Sequence, residues 1–137
     1  MDSNLKSYQS MYASLTAEIT ANLSKITQNL KLGTGNLPED AVDTNTLLER
    51  IEKNFEDASD LFEQMELEIR ELSTQEERNR QTNHLDSFKA ELKRLEQEHA
   101  LTKRRVRRHH DRFKLLNDHE EDSSYLEVDV IHSAKDR

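Results

Sequence analysis

From Leu48 to Leu72 apolar residues recur in steps of three and four: Leu48, Ile51, Phe55, Ala58, Phe62, Met65, Ile69 and Leu72. Such a stripe keeps to one face of an α-helix for about seven turns. Between the apolar positions lie Glu49, Arg50, Glu52, Lys53, Glu56, Asp57, Glu63, Glu66, Glu68, Arg70 and Glu71. Leu47, Leu61 and Leu67 widen the stripe. A widened stripe suits a helix that faces two neighbours, as in an antiparallel bundle, better than the narrow seam of a two-stranded coil. A long coiled-coil dimer is the alternative that the pattern leaves.

Two further stripes supply the neighbours. Leu5, Tyr8, Tyr12, Leu15, Ile19, Leu23, Ile26 and Leu30 predict a first helix, with Ser3 or Asn4 as its N-cap. Gly33, Gly35 and Pro38 then punctuate a loop over residues 32–42, and Asp43, Thr44 or Asn45 caps the second helix. Ser73 followed three residues later by Glu76 has the spacing of a capping box, so a third helix is expected from there. Its stripe is Leu85, Phe88, Leu92, Leu95, His99, Thr102, Val106, His109, Phe113 and Leu116, and it turns polar after Leu95. A packed helix to about Arg105 and a poorly buried extension follow from that change. From Asn117 acids and the Ser123-Ser124 pair interrupt the pattern, and Tyr125 to Ile131 alternate as a short strand would, with no partner strand.

The expected fold is all-α: an antiparallel up-down-up three-helix bundle with a disordered or extended C-terminal tail. Its helices lie at about 3–31, 44–72 and 75–110, in one domain over residues 1–116, with 117–137 as an acidic linker. The longest would span about 45 Å.

Composition agrees with long solvated helices around a thin core: charged residues are 35% and hydrophobic ones 33%, with two Gly, one Pro and no Trp. There is no Cys, which excludes disulfides and thiolate metal sites. No apolar run approaches the roughly 20 residues of a membrane span, and no signal peptide opens the chain. The piece is therefore expected to be soluble and monomeric. Net charge is −8, unevenly distributed: −9 over residues 1–102, +6 over 103–116 and −5 over 117–137.

Candidate chemistry is sparse. The carboxylates fall on solvated helix faces, with no cleft to pair them or raise a pKa. His84, His99, His109, His110, His119 and His132 do not match a metal-ligand spacing, and Gly33-Thr34-Gly35 is too short for a phosphate loop. His99 reads as a half-buried polar residue in the seam. The chain is thus read as a non-enzyme, with no catalytic, cofactor-binding or metal residues, no cofactor and no small-molecule substrate. The sharp local feature is Lys103, Arg104, Arg105, Arg107 and Arg108, followed by His109 and His110. An anionic membrane or an acidic partner could meet such a strip. Nucleic acid is not expected, because no aromatic stacking platform accompanies the cations and the rest of the chain is acidic. Otherwise the strip is a solvated helix end whose cations complement the helix dipole and the acidic tail.

Three blocks carry a resemblance. Leu15-Thr16-Ala17-Glu18-Ile19-Thr20 after Tyr8 and Tyr12 looks like the first helix of the Vti-type Qb-SNAREs. The stretch from Glu56 through Asp60-Leu61-Phe62-Glu63-Gln64-Met65 to Arg70 resembles their second helix, and Leu85 through Phe88 and Leu92 to Glu96 is similar to the third. The order and spacing are kept over about residues 3–105, so the chain resembles that family's N-terminal (Habc-type) domain.

The resemblance implies a regulatory and sorting domain, recognised by cytosolic adaptors of the ENTH type during vesicle-mediated Golgi, endosome and vacuole transport and membrane fusion. It also implies cognate SNARE partners through a SNARE motif, and a C-terminal anchor on the cytoplasmic face of those membranes. Neither motif nor anchor is present in this sequence. The adaptor patch implied is where the turn between the second and third helices meets the first helix, here Glu18, Glu76, Glu77 and Arg78. That turn is charged and lacks the proline or apolar residues of several relatives. The alternatives are an unrelated three-helix interaction module using the basic strip 103–110, or an autoinhibitory domain that binds its own SNARE motif.

Overall fold

The computed structural model describes residues 3–33 and 42–125, and every described element is helical: α1 (Ser3–Leu32), α2 (Thr44–Arg70) and α3 (Gln75–Tyr125). The chain divides into two units, residues 1–103 and 104–137. The first holds α1, α2 and the opening part of α3.

Pairings across the first unit fix its topology. Asn4 meets Glu68, Tyr12 meets Phe62, and Asn29 meets Thr44, so numbers fall along α2 as they rise along α1. Lys89 meets Glu66, His99 meets Phe55, and Lys103 meets Glu52, so α3 is again antiparallel to α2. The path is up, down and up, as the three stripes require.

Burial follows the stripes closely. Leu5, Tyr12, Ile19, Leu23 and Ile26 come from α1; Leu47, Leu48, Ile51, Ala58, Phe62, Met65 and Ile69 from α2; Leu85, Leu92 and Leu95 from α3. Leu47 does widen the second stripe, but Leu67 does not, being half exposed. Polar residues complete the seams: Asn22, Asn54, Gln81, His99 and Thr102 are buried at positions that continue the three-four spacing. His99 is more deeply placed than the half-buried position expected of it.

Local chemistry explains the ends. Gly33 adopts φ 78°, and its N–H reaches the Asn29 carbonyl at 3.1 Å, the left-handed closure that a side chain would strain. Asp43 is the cap of α2, its carboxylate accepting from the Thr46 N–H at 3.4 Å. The capping-box reading of Ser73 needs correction by one residue. Thr74 caps α3, its hydroxyl accepting from the Glu77 N–H at 3.1 Å, while α2 ends at Arg70 rather than at 72.

The second correction concerns the far end of α3. The helix continues to Tyr125, beyond the stop expected near 110 and through the start of the expected linker at Asn117. The sequence permits this: Gln75 to Tyr125 contains no Gly or Pro, the two residues that most disfavour a helix interior. Residues 126–137, which include most of the strand-like alternation and the rest of the acidic linker, lie outside the described residues, as do Gly35 and Pro38.

Candidate partner-binding surfaces

The α2–α3 corner is built from polar residues that hold one another. Backbone bonds from Glu71 to Glu68 (3.2 Å) and from Leu72 to Ile69 (3.1 Å) tighten the last turn of α2. The Arg78 guanidinium then donates to the Leu72 carbonyl and, at 3.2 Å, to Gln75 Oε1. An otherwise orphaned carbonyl at the helix end is thereby satisfied by a cation, where the dipole favours one. Arg78 is half-buried and serves the turn itself.

Glu76 and Glu77, in the first turn of α3, are placed differently from each other. Glu76 has an 88% exposed side chain and a loose 3.9 Å approach to Arg80. Glu77 is half-buried, pairs with Arg80 at 3.2 Å, and accepts from Gln81 at 3.3 Å. Gln81 in turn accepts from Gln9 of α1 at 3.1 Å. A chain Gln9–Gln81–Glu77–Arg80 therefore runs from α1 to the open face of the corner. Arg80, Gln81 and Gln9 were not singled out from sequence; only the spacing of Gln81 before Leu85 and Phe88 could have pointed to it.

Glu18 lies on α1, away from the residues that build the corner. It lines a groove of about 510 Å³ between α1 and α2, with Lys25, Glu49, Arg50 and Lys53 around the rim and Asn22 and Asn54 set into it. A second groove, of about 470 Å³, lies between α1 and α3. Its α1 wall is small throughout: Ala13, Thr16, Ala17, Thr20 and Ala21, opposite Glu91, Arg94 and Leu95.

Two buried titratable groups lie behind these faces. The Tyr12 hydroxyl lies 2.9 Å from the Phe88 carbonyl and 2.7 Å from Glu91 Oε1, and its ring packs on Phe62 and Phe88 at 5.4 and 4.6 Å. Burial, and then the bond to Glu91, pushes its pKa well up. His99 meets Phe55 edge-on at 5.4 Å, and its Nε2 is buried without a hydrogen-bond partner. Burial lowers its pKa, more than nearby Glu52 and Glu96 raise it. Among the described residues no three His, Asp or Glu side chains converge as a metal site.

The basic strip divides between the units. Lys103, at the edge of the first, approaches Glu52 at 3.7 Å. In the second, Arg104, Arg105, Arg107 and Arg108 are all exposed, while Val106 and His109 are half-buried.

Comparison with known proteins gives this arrangement a context. The profile of a family described as "Vesicle transport v-SNARE protein N-terminus" matches residues 1–103, ending where the first unit ends. "Vesicle transport through interaction with t-SNAREs homolog 1A" from Homo sapiens and that from Mus musculus are each 34% identical over 96 residues, covering 70% of this chain and 39% of their own. The Rattus norvegicus counterpart is 34% identical and is covered over 38% of its length. The chain thus spans about two fifths of these relatives. No solved structure matches it.

Proposed function

Because this chain belongs to the vesicle transport v-SNARE family, as its N-terminal domain, we propose that it is the regulatory and sorting domain of a vesicle-trafficking SNARE. It acts without catalysis, by being recognised by a folded cytosolic adaptor, of the ENTH type, during Golgi, endosome or vacuole transport. The observation that supports this reading is the α2–α3 corner, where Glu76 and Arg80 stand on a turn already fixed by Thr74 and Arg78. A rigid polar face of this kind loses little entropy on binding and suits a modest interface that forms and releases, with charge setting partner choice.

Glu76, Glu77 and Arg80 carry the contact in this reading, Arg78 supports it from beneath, and Glu18 is not part of it. The test is titration calorimetry of the chain with ENTH-type adaptors. Glu76→Lys should weaken binding about tenfold, mostly through association rate and in a salt-dependent way, while the helix content stays unchanged. Unaltered affinity would remove the corner from the interface; absence of binding by any adaptor would remove the sorting role.

The small-residue groove between α1 and α3 favours a second reading. Ala13, Ala17 and Ala21 let another helix approach closely, so the domain would instead hold its own SNARE motif in an autoinhibited state. A synthetic motif peptide that binds wild type but not Ala17→Gln would select it.

A further inference from the structure

The second unit carries a cationic face that the corner does not account for. Arg104, Arg108 and Arg112 lie at four-residue steps on α3, and Arg105 flanks them on the same side. All four are exposed, and none makes an ion pair with another described residue. The row is about 12 Å long on a continuous helix. Leu115, 65% exposed, closes it one helical turn beyond Arg112. Between Lys103 and Leu116 the sequence has seven cations and a single acid, Asp111, against a net −9 over residues 1–102.

We infer that the helix segment Arg104–Leu115 is a contact site for an anionic phospholipid surface. Three guanidiniums in a row with a fourth beside them are matched by a plane of phosphates, which each can grip with two N–H groups. The two grooves described above are lined by residues of the first unit, so neither serves this face. Leu115 beside the row supplies the apolar group that an interfacial helix sinks below the headgroups. The acidic remainder is repelled by the same surface, so contact is confined to this segment and orients the chain on the bilayer. Nucleic acid fits less well, because a net −9 over residues 1–102 repels a polyanion and Phe113 is the single aromatic residue in Arg104–Leu115, too few for a stacking platform. The inference is independent of adaptor recognition, since it uses none of the corner residues.

Co-sedimentation of the full 137-residue chain with vesicles tests it. Vesicles of phosphatidylcholine plus phosphatidylserine should retain the protein at low salt, and vesicles of phosphatidylcholine alone should not. Replacing Arg104, Arg105, Arg108 and Arg112 together by Gln should lower the partition coefficient by roughly several hundredfold, at about fivefold per cation. Leu115→Ser alone should lower it about threefold, with less dependence on salt. Circular dichroism of both variants should keep the helix content of wild type. Equal retention by neutral vesicles, or undiminished retention of the four-Arg variant, would overturn the proposal. So would binding to a duplex oligonucleotide or to polyglutamate that is tighter than to the anionic vesicles and persists at physiological salt, which would assign the face to nucleic acid or to an acidic protein.

Discussion

Tyr12 reaches across from α1 to place its hydroxyl 2.7 Å from the carboxylate of Glu91 on α3, while its ring stays inside the core between Phe62 and Phe88. One side chain thereby ties all three helices, apolar body inward and polar tip at the rim.

Tyr12→Phe keeps the ring contacts and removes the bond. A loss of about 1–2 kcal/mol is expected, as for a hydrogen bond to a charged acceptor. For a bundle of this size the thermal midpoint should fall by roughly 5–15 °C. The pH dependence is the second readout. The folded tyrosine has a raised pKa, so its contribution is intact below the ordinary value of 10.0 and is lost as pH climbs beyond it. Wild type should weaken steadily above that pH, and the Phe variant should weaken less over the same range.

His99 acts at the opposite end of the scale. Its pKa is depressed by burial, so the folded state favours the neutral ring. Stability should be full above the ordinary value of 6.5 and decline as pH falls below it, because the unfolded chain then takes up the proton first. His99→Leu removes both the titration and the unpartnered Nε2. Its urea midpoint should vary less between mildly acidic and neutral pH than that of wild type, and should match or exceed wild type at the acidic end.

Phe62 and Leu67 separate the core from its edge. Phe62→Ala should cost about 3–5 kcal/mol, because it removes a buried ring packed on Tyr12. Leu67→Ala, at a side chain 51% exposed, should stay within about 0.5 kcal/mol of wild type. Equilibrium denaturation of the two variants compares them directly.

The cap of α3 is equally testable. Thr74→Ala should cost about 1 kcal/mol by freeing the Glu77 N–H, and Ser73→Ala close to nothing. Equal costs at the two positions would mean that the helix starts where the capping-box spacing of Ser73 and Glu76 places it.

How much of this was visible beforehand depended on the kind of signal. The three-four spacing of Leu48 to Ile69 predicts burial well because a bundle core is selected for one face of each helix. Gln81, Asn22 and Asn54 were passed over because their polarity hides seam positions that their spacing shares. Ser73 and Thr74 are chemically near-equivalent caps, and only backbone geometry chooses between them. Glu18 was grouped with the corner by resemblance alone, since an acid on an exposed face carries no sign of which groove lies beside it. The end of α3 was misjudged because loss of an apolar seam removes a reason to pack, not the ability to stay helical.

The amides of Asn22 and Asn54, set into one groove between α1 and α2, act as a vernier on helix alignment. Hydrophobic stripes alone tolerate a slip of one turn, because each leucine or isoleucine finds another a turn away. A slip of α2 along α1 would carry Asn54 from that polar groove onto the apolar positions Leu15 and Ile19, or Leu23 and Ile26. There its amide would lose its access to water or a polar neighbour, a cost of about 1–3 kcal/mol on every misaligned pairing. Two residues that add little cohesion thus discriminate among near-equal dockings, and leave the bundle one alignment instead of several.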